Sequence, residues 1–170
     1  SLTEAMDRKE LKLKKYDDKN QEFHGHLWKV SSWDKAQFWE IDKDYDNTQE
    51  TWHAFETKYP DIEDVNPTDY SPLYEAIDFV VNSNDETFKK EVGDYFDIPV
   101  LIDYQLFQET LKPVDNNGKN MYWGIYDVAE SQKLTLAIWD LDASVGQDWH
   151  CSTPLHPDYV LPNTDLGVKD

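Results

Sequence analysis

Positive charge and cysteine are scarce in this chain. Its 170 residues hold 16 Lys and Arg against 35 Asp and Glu, a formal net charge of −19 at pH 7. Without a local basic patch such a surface repels nucleic acid and anionic membranes, which excludes nucleic-acid binding as a leading function. The single cysteine, Cys151, rules out an internal disulfide framework and leaves the redox compartment undecided. No apolar run approaches the roughly 20 residues that a membrane-spanning helix needs. High charge with few aromatics would signal disorder, but seven Trp, ten Tyr and seven Phe supply the apolar area for a core. At 20.0 kDa the chain is expected to form one domain.

Along the chain, Leu2 to Lys15 reads as an edge strand ending in the alternation LKLKK, and Phe23 to Val30 as a second strand. His24 and His26, two apart on that strand, are expected on one face, either toward solvent or about a transition metal. Asp42-x-Asp44-x-Asp46-Asn47 opens like a calcium loop, but Asn47 stands where Gly is required and His53 where the bidentate Glu belongs. A solvated acidic loop is the better reading. Thr51 to Tyr59 is expected to be a short helix ending before Pro60. Three firmer helices follow, with Ser71, Asp85 and Asp97 as predicted N-caps. The third, running to about Leu111, is apolar nearly all round, the pattern of a buried helix. After Gly146 the chain is punctuated by three prolines, and His150, Cys151 and His156 lie close together without the spacing of a zinc site.

The stretch from Lys112 to Gly146 carries the chemistry. Met121–Tyr126 and Leu134–Trp139, rich in aromatic and β-branched residues, form a predicted antiparallel hairpin. Asp115-x-x-x-x-Asn120 opens it and Trp139-Asp140-Leu141-Asp142 closes it. Carboxylates and an amide held on one edge of a rigid hairpin are hard oxygen ligands, suited to Mg²⁺ bound to phosphate. Taken alone, Asp115-Asn116-Asn117-Gly118 is equally good turn composition.

The loop, hairpin and following Asp have the layout of a protein-kinase catalytic loop and metal-binding Asp. Trp139-Asp140-Leu141-Asp142-x-x-x-Gly146 resembles more closely the spore-coat protein H (CotH-like) kinases. Leu2-Thr3-Glu4 with Asp7-Arg8, Leu27-Trp28-Lys29 and the helical block 69–111 extend the likeness. Ile138 stands where the family usually has Pro, and Val145 where it has an aromatic; neither change removes a ligand. The resemblance implies an α+β fold, a kinase-like C-lobe that is mainly helical, with a short hairpin at the active site and N-terminal strands. Residues 1–30 would be inter-lobe strands, 68–146 the helical core and 147–170 an extended tail. It also implies a fragment, with the phosphate-cradling loop and its Lys upstream of Ser1, so that residues 1–170 alone are expected to transfer no phosphate.

The function implied is ATP- and Mg²⁺-dependent phosphorylation of protein Ser/Thr hydroxyls, other divalent ions being alternatives, at a spore or cell surface outside the cytoplasm. Asp115 would take or orient the acceptor proton. Asn120 and Asp140 would bind metal, with Asp142 as second ligand or orienter. Glu4 would lie near the adenine edge, and Lys119 would contact phosphate or face solvent. Two other readings stand beside it. One is a non-catalytic kinase-like module that binds glycan or protein through an aromatic, acidic surface; the other is a structural protein stabilised by calcium at Asp42–Asn47.

Overall fold

A computed structural model of the chain describes residues 6–32, 38–42, 44–114, 116, 118–141 and 143–146. Their centre is a five-stranded antiparallel sheet. The middle strand β1 (His26–Val30) lies between β3 (Phe55–Tyr59) and β4 (Met121–Ile125). Strands β2 (Thr51–Trp52) and β5 (Thr135–Ile138) form the outer positions, giving the order β2-β3-β1-β4-β5. Trp28 pairs with Thr57 on one side and Trp123 on the other, and Trp123 pairs in turn with Leu136. Aromatic and β-branched partners of this kind are what stabilise a sheet.

The two faces of β1 bury different things. On one, Trp28 and Val30 pack with Phe55, Leu73, Ile77 and Leu134 in the main core. On the other, Leu27 joins Leu13 and Tyr122 in a smaller cluster that also receives Trp139. Each such fully buried large side chain contributes about 1.5–3 kcal/mol. Leu13 comes from the LKLKK stretch, which forms no strand: Leu13 N–H donates to Arg8 O (2.9 Å) in a turn, and the chain then crosses closely over Gly25, whose N–H donates to Lys14 O (3.1 Å).

Gly25 permits that crossing. A Cβ there would stand 2.7 Å from both Leu13 Cβ and the Lys14 carbonyl oxygen. Gly25→Ala is therefore expected to cost about 1–3 kcal/mol through overpacking. Urea unfolding measures it, and an unchanged midpoint would contradict this packing.

Thr51 to Tyr59 is a hairpin rather than the expected helix. His53 and Ala54 have φ of 49° and 61°, the positive values at both central positions that a two-residue primed turn requires. The burial also follows period two, with Trp52, Phe55 and Thr57 inside. The Asp42–Asn47 segment thus leads into a strand. Asp46 accepts from Thr48 N–H and Oγ1, Asn47 Oδ1 accepts from Tyr70 N–H, and Asp42 lies 3.1 Å from His53 Nδ1. Local turn chemistry thus engages Asp42 and Asp46, two of the three carboxylates that a calcium loop would use.

The three helices occupy the predicted places, the first two with N-caps one residue earlier than expected and the third with Asp97 as N-cap. Helix α1 (Ser71–Asn82) starts on Asp69, whose carboxylate accepts from Ser71 N–H and Oγ. Helix α2 (Asp85–Tyr95) is capped by Asn84, which accepts from Thr87 N–H, while Asp85 and Glu86 complement the dipole in the first turn. Phe79 of α1 stacks on Tyr95 at 4.0 Å between ring centroids. Helix α3 (Ile98–Leu111) is not a buried helix. Gln108 is its one fully buried residue, and Ile102 and Leu106 are 55% and 60% exposed.

These features correct the fold expected from the resemblance. The chain is not a mainly helical kinase-like C-lobe with a short hairpin, since the centre is the five-stranded antiparallel sheet. The physical reason lies in scattered aromatics such as Trp52 and Phe55. Trp52 pairs with Phe55, and Phe55 with Val30 of β1, so that β2 and β3 extend the β4–β5 hairpin into a full sheet through a long-range contact that sequence spacing does not encode.

The far end of the β4–β5 hairpin is clipped to the N-terminal segment by Asp127. Lys14 Nζ donates to its Oδ2 (2.6 Å), His24 Nδ1 to its Oδ1 (2.8 Å) and Ala129 N–H to the same oxygen (3.1 Å). A carboxylate can only accept, so His24 carries its proton on Nδ1. Burial pushes the Asp127 carboxyl up, but these bonds outweigh it and hold the group at about 2. His26 has a separate environment. Fully buried, it stacks between Phe23 (5.4 Å) and Trp28 (5.1 Å), and neither ring nitrogen finds a partner among the described residues. The two imidazoles therefore do not form the joint metal site considered from their spacing.

Candidate active site

The near end of the same hairpin meets the C-terminus of α3. Lys112 takes a left-handed conformation (φ 48°) and Pro113 prevents further helix, so the chain turns toward β4. Two backbone bonds zip this incoming loop to the chain leaving β5: Val114 N–H to Ala143 O (3.0 Å) and Val145 N–H to Leu111 O (2.7 Å). Loop, hairpin mouth and Trp139–Gly146 are thereby one unit.

At the mouth, Asn120 and Asp140 flank the last paired residues, Met121 and Ile138. Trp139 N–H donates to Asn120 O (3.0 Å), so Asp140 directly follows the cross-strand partner of Asn120. Both are left-handed, with φ of 52° and 58°, which short polar side chains tolerate better than others. Asn120 is buried and Asp140 half-buried. Val145 is also left-handed (φ 56°), an unusual state for a β-branched residue and a local strain beside the site.

Asn116, to which the sequence assigned no task, is the buried centre of the loop. Its carbonyl accepts from Tyr104 Oη (2.5 Å) and Gln108 Nε2 (2.9 Å), both on α3. Its Nδ2 donates to Asn120 O (2.9 Å) and Trp139 O (2.7 Å). Burial pushes the Tyr104 phenol up, so it remains a donor. Lys29 was likewise missed: its Nζ stands 4.2 Å from the centroid of Trp139, a cation–π contact across the sheet. No local signal marks either residue, because both act through strand or helix neighbours distant in the chain.

Of the predicted site residues, Asn120 and Asp140 are brought together and Lys119 precedes Asn120 in the same turn, half-buried. Asp115, Asp142 and Glu4 lie outside the described residues, as do His150, Cys151 and His156. Among the described residues no group of three or more His, Cys, Asp or Glu side chains is placed to hold a metal. Asn120 and Asp140 instead offer one amide and one carboxylate oxygen. That donor set fits Mg²⁺, which typically takes one or two carboxylates and completes its shell with water and phosphate.

The hairpin mouth thus carries one amide and one carboxylate side chain beside a polar loop that leaves α3. The family model described as CotH kinase protein matches residues 1–166, and the chain belongs to the CotH kinase family. No curated protein matches the chain. No helix among the described residues is long and apolar enough to cross a membrane.

Proposed function

We propose that the protein transfers the γ-phosphoryl group of ATP to Ser/Thr hydroxyls of protein substrates. Membership of a kinase family supports the reaction class. The observation that carries the residue roles is the backbone bond from Trp139 N–H to Asn120 O, which keeps Asn120 and Asp140 at one edge.

Phosphoryl transfer requires an in-line acceptor and neutralised phosphate charge, with little covalent help from the protein. Asn120, through its amide oxygen, and Asp140 would hold Mg²⁺, with Asp142 as second ligand or orienter. When bound, the ion offsets the negative charge of the transferring phosphate. Asp115 accepts or orients the proton of the attacking hydroxyl. Lys119 would contact a phosphate, and the family likeness gives Glu4 a role at the adenine edge. The neutral Asn120 supplies an oxygen without adding a second negative charge beside Asp140, whose repulsion would be large in a partly dry cleft. A spore- or cell-surface location outside the cytoplasm belongs to the proposal and is supported by the family likeness alone.

The exposed aromatic residues among those described, Trp39, Phe88 and Tyr126, belong to separate elements, so no observation favours the glycan-binding alternative. The test is transfer from γ-labelled ATP to a Ser/Thr-rich acceptor protein by the full-length protein. Label on hydroxyl side chains that requires a divalent ion is the expected result. Absence of both transfer and nucleotide binding across several divalent ions would end the kinase reading.

A further inference from the structure

We propose that Asn116 is the positioning residue of this site, setting the separation of Asn120 and Asp140 through its side-chain amide. The proposal rests on the reading of those two residues as metal ligands.

The geometry is specific. Asn116 is 1% exposed in a loop otherwise composed for water. Its amide faces two backbone carbonyl oxygens, Asn120 O and Trp139 O, which can only accept. The nitrogen must therefore be the atom that points at them, and the amide orientation follows from chemistry. Trp139 O belongs to the peptide that leads into Asp140, and Asn120 O to the other proposed ligand. One NH₂ group thus bridges the backbones of both ligands.

The bridge is itself fixed, because the Asn116 carbonyl is held by Tyr104 and Gln108 of α3. It also needs to be strong. Left-handed backbone costs roughly 1–2 kcal/mol for most residues and less for Asn and Asp, and Asn120 and Asp140 both adopt it. Buried hydrogen bonds contribute about 0.5–1.5 kcal/mol each, so the two from Nδ2 are of the size needed to hold that geometry. Small misplacements of this kind cost turnover far more than they cost folding.

The test variant is Asn116→Asp, which keeps the shape but sets oxygen against both carbonyls. Three quantities are compared with the wild-type full-length protein: Mn²⁺ affinity by electron paramagnetic resonance, steady-state kinetics, and amide hydrogen exchange. The expected result is Mn²⁺ binding at least tenfold weaker, kcat lower by about 10²-fold, and an unchanged KM for the protein acceptor. Exchange of the Trp139 amide should quicken, while that of mid-hairpin Gly124 stays as in wild type. Partial recovery of turnover at high Mg²⁺ belongs to the same expectation.

Faster Trp139 exchange with unaltered Mn²⁺ affinity and turnover would overturn the proposal, leaving Asn116 a purely structural residue. If Asn116→Asp does not fold, Tyr104→Phe, which removes one anchor of the Asn116 carbonyl, should show the same pattern with smaller amplitude. No change in Mn²⁺ affinity in that variant also overturns the proposal. A wild-type protein that neither binds Mn²⁺ nor transfers phosphate overturns the parent kinase reading and this inference with it, and that control separates the two failures.

Discussion

Asp140→Ala is expected to abolish phosphate transfer, lowering turnover by about 10³-fold or more, because a metal clamp on phosphate contributes several kcal/mol to the transition state. Asp115→Asn is expected to lower turnover while leaving Mg·ATP affinity nearly intact, since the proposed function gives Asp115 the task of a proton acceptor rather than of a ligand. The backbone at Asp140 complicates the first result, because Ala tolerates φ of 58° less well than Asp. Asp140→Asn resolves this: it accepts the left-handed conformation and removes only the charge. Loss of transfer in both Asp140 variants, with nucleotide affinity reduced in both, assigns the effect to the carboxylate. Equal loss of nucleotide affinity in Asp115→Asn and Asp140→Ala would contradict the separate roles.

Local pattern made some of this molecule legible and long-range pairing hid the rest. The β4–β5 hairpin was readable because MYWGIY and LTLAIW are strand-like over five or six residues with a polar connection between them. Helices α1 to α3 were readable from Pro72, Pro99 and the apolar spacing, and Asp97 is the N-cap of α3 as expected, while the starts of α1 and α2 are displaced because Asp69 and Asn84 are as good acceptors as their neighbours. The β2–β3 turn was not readable, since His53-Ala54 lacks the Gly or Asn that marks a primed turn. The insertion of β1 between β3 and β4 has no sequence signature, and with it the sheet, the cation–π contact of Lys29 and the fold class were missed. Asn116 shows the same limit at the scale of one residue. In Asp-Asn-Asn-Gly the two asparagines look alike, and only contacts with α3 and the hairpin mouth distinguish Asn116.

Acid should unfold the protein in two steps of different origin. Burial lowers the His26 pKa from 6.5 to about 4, with the nearby Asp69 charge offsetting only part of that effect. Above pH 6.5 the ring is neutral in folded and unfolded chains alike and contributes no slope. Between pH 6.5 and about 4 the unfolded chain takes up a proton that the folded chain refuses, so stability falls by up to about 3 kcal/mol. Asp127 acts lower. Its folded carboxyl is depressed from 3.8 to about 2, so its contribution is complete above the ordinary carboxylate range and is lost as pH falls toward 2. His26→Phe, which keeps an aromatic ring between Phe23 and Trp28 and removes two nitrogens that have no partner among the described residues, should flatten the stability curve between pH 6.5 and 4. It should leave the lower step in place. Asp127→Asn should cost about 2–3 kcal/mol at neutral pH, where a charged hydrogen-bonded carboxylate is lost, and should shrink the lower step, to which the lowered carboxyls of Asp7, Asp17 and Asp46 also contribute, while keeping the upper one. Urea midpoints from pH 7.5 to 2.5 for the three proteins measure both effects, and parallel curves for wild type and His26→Phe above pH 4 would show that the buried imidazole does not set the first step.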